Sequence, residues 1–141
     1  MSNSQIYDAL NETQKDFKKI SGVNVVIGDP DPGASEMPIV ILTPEDSGEI
    51  TQLAQNNYNI IIPLRVFIRV DKTQTQKAYM ILEKIIKGLD NLRSERGYTI
   101  GTDPETGGQP RGELSPTYDE RGFFELSINF KIDEIIQNTE A

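Results

Sequence analysis

The side chains in this 141-residue chain that invite a chemical reading are arginines and carboxylates, because it contains neither histidine nor cysteine. Without imidazole there is no ordinary side chain titrating near neutral pH, and every triad or zinc motif built on histidine is excluded. Without thiols there is no disulfide, thiolate metal site or cysteine nucleophile. Asp29, Asp31 and Glu36 in "GDPDPGASE" offer oxygen ligands of the kind calcium takes. Their spacing does not match the twelve-residue calcium loop, and acidic turns rich in Pro and Gly arise simply because those residues make turns. No metal is expected there. The stretch "GTDPETGGQPRG" carries Arg111 among glycines and invites a phosphate. It lacks the Lys-Ser/Thr pair of a P-loop and opens no helix whose dipole would back the amides, so a hairpin tip without cofactor is the expectation. Glu113, Asp119, Glu120 and Glu125 could supply an acid/base pair, but proximity in sequence does not place two carboxylates in one cleft. They read as solvated turn charges, and no enzyme activity is expected.

Arg65 and Arg69 read differently. They lie in "YNIIIPLRVFIRVD", Tyr58 to Asp71, where Tyr58, Ile60, Ile62, Leu64, Val66, Ile68 and Val70 form an unbroken apolar row. The intervening row holds Ile61, Arg65, Phe67 and Arg69, two cations flanking apolar surface. Arginine beside an aromatic is enriched at protein interfaces. The alternative is that the arginines pair with acidic residues on neighbouring strands, such as Glu125. The interface reading is preferred. It carries the expectation that Arg65→Glu with Arg69→Glu leaves the fold intact.

Positioning this row requires the elements around it. Ile6, Leu10, Phe17 and Ile20 fall at helical spacing, with Ser2, Asn3 or Ser4 as cap and a stop at Ser21-Gly22. "VNVVI" is a short β-branched run, followed by a Pro- and Gly-rich link and the apolar strand "PIVILT". Residues 44–57 read as a polar loop, long for a link between strands, and loops of that length bind or move. The strand after it, up to 13 residues, would span about 40 Å if straight, so part of it overhangs or bends, with Pro63 as a bulge or edge position. From Thr73 the period becomes helical: Ala78, Ile81, Leu82, Ile85, Leu89 and Leu92 form one stripe, and Asp71 or Thr73 can cap the start. "YTI" and "GELSPTY" are possible short strands. "GFFELSINFKI" alternates, with Phe124, Leu126, Ile128, Phe130 and Ile132 inward. The fold class expected is α+β: an antiparallel sheet of four to six strands with two amphipathic helices on one face. Residues 1–141 make one domain.

No segment approaches the roughly 20 apolar residues of a membrane helix, and no leader pattern opens the chain, so a soluble protein held in cytoplasm-like conditions is expected. The net charge of −8 argues against a general nucleic-acid surface. The charge is uneven: −6 over residues 1–57, +4 over 58–99 and −6 over 100–141. Opposite-sign regions on one chain suit head-to-tail association between copies.

The helix "SQIYDALNETQKDF", the strand "MPIVILTP", the polar loop, "IIIPLRVFIRVD", the helix "TQKAYMILEKIIKGLDNL" and the strand "GFFELSINFKI" occur in an order that resembles the tail terminator and tail completion proteins of tailed bacteriophages. The resemblance spans most of the chain and rests on patterning, with no catalytic signature. It implies a structural virion protein, assembled in the host cytoplasm, that closes as a homohexameric ring on the tail tube, stops its polymerisation and faces the neck or head. The partners implied are copies of itself, the tube protein and a neck or head-completion protein. The contact residues implied are Glu45, Asp46 and Glu49 of the loop, Arg65, Phe67 and Arg69 of the strand, and Arg111 of the Gly-rich hairpin. A head-tail connector of related plan is the alternative, and a small assembly chaperone a further one.

Overall fold

Two fifteen-residue strands, Asn57–Asp71 (β4) and Phe123–Gln137 (β7), pair antiparallel along their whole length and form the spine of the molecule. The computed structural model describes residues 5–28, 37–45, 49–92, 97–100, 113–120 and 122–137. Around the spine lie helix α1 (Gln5–Ser21), strands β1 (Asn24–Ile27), β2 (Ile39–Pro44) and β3 (Glu49–Ala54), helix α2 (Thr75–Leu92), and strands β5 (Gly97–Ile100) and β6 (Ser115–Asp119). One sheet holds the seven strands of the described residues in the order β1-β2-β4-β7-β5, with β3 also on β4 and β6 also on β7. The β1–β2 pair is parallel and every other pair antiparallel.

The α+β class and the two helices on the sheet are as the patterning implies. Alternate residues of a strand share a face, so Leu64, Val66, Ile68 and Val70 of β4 and Phe124, Leu126, Ile128, Phe130 and Ile132 of β7 form one buried surface. Helix α1 adds Phe17 to it, and α2 adds Ala78, Ile81, Leu82, Ile85 and Leu89. Phe17 meets Phe130 edge to face at 5.8 Å, worth about 1 kcal/mol beyond the area buried. Ile6 is half exposed; Ala9 and Thr13 complete the α1 stripe, and the Thr13 hydroxyl donates to the Ala9 carbonyl (2.8 Å). Helix α1 ends as expected: Gly22 sits at φ 73° and its N–H donates to the Lys18 carbonyl (2.9 Å), a left-handed stop that glycine adopts freely.

Asp71 does not cap α2. Its carboxylate accepts from the Thr73 hydroxyl (2.7 Å) and the Thr73 N–H (3.0 Å), closing a turn between β4 and the helix. These two bonds, the hydroxyl's first, hold the Asp71 carboxyl below its ordinary value.

The segment 44–57 is the main departure from the sequence reading. Six of its residues form β3, which folds back on β4 through Gln55 and Asn56 with Asn56 at φ 65°. Asparagine tolerates that left-handed conformation better than other non-glycine residues. This hairpin brings the six strands legible in the sequence to seven. Pro63 is no bulge, since the β4–β7 register runs through it without a shift. It sits where β2 has ended, opposite Leu64, and β3 starts, opposite Ile61. Its carbonyl accepts from Glu45 N–H (3.0 Å) on that side, and a strand residue's N–H and C=O point to the same neighbour. The donor that proline lacks would therefore face the gap.

Candidate functional site

The second face of the sheet begins with the register of β4 and β7, which sets Arg65 opposite Asn129, Phe67 opposite Ser127 and Arg69 opposite Glu125. Paired residues share a face, so the intervening row of β4 lies beside the outward row of β7. Arg69 is 2% exposed. Its Nε and one terminal nitrogen both donate to Glu125 Oε2, at 3.1 and 2.9 Å, and its guanidinium carbon lies 4.2 Å from the centroid of the Phe123 ring. A buried guanidinium needs a carboxylate and an apolar bed, and both come from β7. The structure thus corrects the assignment of Arg69 as a partner contact. It also overturns the expected tolerance of Arg69→Glu, which would set two carboxylates side by side in a buried position.

Arg65 and Glu45 form a looser network. Arg65 Nε is 3.4 Å from Glu45 Oε1, each side chain about one-third exposed. Arg65 also donates to the Ser127 hydroxyl (3.2 Å), and the Asn129 amide donates to the same Glu45 oxygen (3.2 Å). The network ties the end of β2 to both spine strands and leaves one edge of Arg65 and Glu45 to solvent. Phe67 is partly covered, with Ile41 of β2 beside it in register. Ile39, Ile41, Phe123, Ser127 and Lys131 are buried, so this lower part of the second face is mostly closed.

The upper part is open. Beyond Ile62 the spine carries β3 on its edge, and all six β3 residues are exposed. Here Glu49, Ile61 and Asp133 stand in one line across three strands, with Thr51, Asn59 and Ile135 in the next. Ile50 is 71% exposed, Leu53 54% and Ile135 47%. This projection, residues 49–61 with 133–136, is an arm: acidic, partly apolar, and outside the core that the helices cover. Of the expected contact residues, only Glu49 belongs to it. Asp46 and Arg111 lie outside the described residues, as do Asp29, Asp31 and Glu36. Among the described residues no three acidic groups gather to hold a metal ion. No described helix is long and apolar enough to cross a membrane.

Ile50, Leu53 and Ile135 are the residues that sequence reasoning missed. The paired asparagines at 56 and 57, midway between Ile50-Thr51-Gln52 and Tyr58-Asn59-Ile60, were the available hairpin signal.

No family model matches this chain, and no curated protein matches it. Among solved structures, a chain of "Virion of native gene transfer agent (GTA) particle" superposes with a TM-score of 0.45 at 12% identity, covering 94% of this chain and 92% of that one.

Proposed function

We propose that this protein is a structural virion protein of the tailed-phage type, a single domain that closes as a ring on the end of a tail tube, ends its growth and offers its other side to the neck or head. It acts by surface complementarity and catalyses no reaction. The observation that carries this reading is the arm. A strand exposed along its whole length, bearing Ile50 and Leu53, adds little to its own core. Its use is contact with something else. The order of helices and strands, which resembles tail terminators from the first helix to the last strand, supports the same reading.

The test is native mass across a wide concentration range, with and without tail tubes. Saturable binding confined to tube ends, with a species near six times 15.8 kDa, about 95 kDa, is the expected result. A protein that binds no tube end rejects the capping role and favours a neck connector or a transient chaperone.

A further inference from the structure

At the end of the molecule away from the arm, the corner between α1 and β1 leaves a cavity of about 510 Å³ against α2. Gly22, Asn24 and Pro38 form one wall, and Lys77, Met80 and Lys84 the other. Residues three, four and seven apart line one helix stripe, so two ammonium groups flank the Met80 thioether, which is half exposed. Among the described residues neither lysine is in an ion pair, whereas Lys87 on the same helix is held by Glu83 at 3.0 Å. The rim of this cavity is basic and apolar.

The arm is its complement. Glu49 and Asp133 are exposed on either side of Ile61, and no cation among the described residues pairs with either. Ile135, two residues from Asp133 on the same face, supplies apolar surface beside them, with Leu53 nearer the hairpin tip. One chain cannot join its own two surfaces. Thr51 pairs with Asn59 at the arm, while Asn24, at the cavity, pairs with Ile39 and through it with Arg69. Those β4 positions are ten residues apart, about 33 Å at the usual strand rise.

We propose that the arm of one copy seats on the Lys77–Met80–Lys84 cavity of the next copy, so that copies join head to tail. At a net charge of −8, copies repel unless a basic region meets an acidic one, and these are the two described surfaces that answer each other. A contact between different patches propagates, and closes as a ring when the rotation per copy divides a full turn. This inference supplies the interface of the proposed ring and rests on that reading only in taking a second copy as the partner.

The test is a complementation. One variant carries Glu49→Lys with Asp133→Lys, the other Lys77→Glu with Lys84→Glu. All four residues are exposed, and unchanged circular dichroism checks the fold. Each variant alone should stay near 15.8 kDa at concentrations where the unaltered chain assembles, with association weakened about a hundredfold by like charges brought together. Mixed in equal amounts, they should regain assembly like that of the unaltered chain, because the acidic arm of one meets the lysine-bearing cavity of the other while the reversed arm meets the reversed cavity. Assembly of either variant like the unaltered chain, or a mixture that stays monomeric, overturns the proposal. Because the chain has no cysteine, Leu53→Cys with Met80→Cys gives a second readout. A ladder of multimers under mild oxidation supports the contact, and monomers alone oppose it. Tube-end binding by the unaltered chain is read separately. If it persists while the reversed variants assemble unchanged, this contact is wrong and the capping reading stands. An unaltered chain that assembles through these surfaces yet ignores tubes keeps the contact and rejects the capping role.

Discussion

Two arginines four residues apart on one strand face opposite fates, and burial decides between them. Arg69 is 2% exposed and shares one Glu125 oxygen through two donors, whereas Arg65 keeps about a third of its side chain in water and meets Glu45 at 3.4 Å. Removing one member of a buried pair strands the other charge, which costs about 3–5 kcal/mol, while an exposed pair contributes about 1 kcal/mol or less. Arg69→Ala should therefore destabilise the protein by about 3 kcal/mol in urea denaturation, and Arg65→Ala by about 1 kcal/mol or less. Arg69→Met combined with Glu125→Leu should lose less than Arg69→Ala alone, because no charge is left behind. Equal losses for the two single variants would mean that the Arg69–Glu125 pair is not held away from water. As a guide to function the result separates the two residues: Arg69 fixes β4 against β7, and Arg65 alone keeps a solvent-facing edge.

Among the elements, the crossing of the two helices turns on one position. A Cβ placed on Gly88 of α2 would lie 2.4 Å from Ile20 Cγ2 and 2.8 Å from Cγ1, atoms near the root of a β-branched side chain that cannot swing away cheaply. Alanine in place of a mid-helix glycine would otherwise add about 1 kcal/mol of helix stability, while overpacking costs about 1–3 kcal/mol. Gly88→Ala should lower the melting temperature, and Gly88→Ala with Ile20→Ala should lose less than the two separate effects added together. Strict additivity would show that the helices part at no cost. The elements that a sequence reader recovers are those whose burial has a period: the even row of β4, the alternation in β7, the stripe of α2. Strand β3 escaped because every one of its residues is exposed, so no alternation between apolar and polar records its pairing. Arg69 looks outward in the sequence for a related reason. A charge in a strand looks solvent-facing until register sets Glu125 opposite it, and register is a property of two strands at once. The cavity beside Lys77 and Lys84 needs α1, β1 and α2 together, and no local pattern announces it.

For the molecule as a whole, charge distribution carries more information than net charge. Among the described residues an acidic arm lies at one end of the spine and two lysines that form no ion pair at the other, so self-association through these surfaces should respond to salt. The screening length falls from about 10 Å at 0.1 M salt to about 3 Å at 1 M. Attraction between Glu49 or Asp133 of one copy and Lys77 or Lys84 of the next is largely lost at the higher value, while apolar contact of Leu53 with Met80 is not. Sedimentation at 0.1 and 1 M sodium chloride should show association weakening by about tenfold or more, with some assembly surviving at high protein concentration. Like-charge repulsion between acidic copies works in the opposite direction. If that repulsion outweighs the specific pairs, association strengthens as salt is added, and the contact is then held chiefly by its apolar side chains. The sign of the salt effect therefore tells whether the two ends of the spine find each other by charge or by their exposed aliphatic side chains.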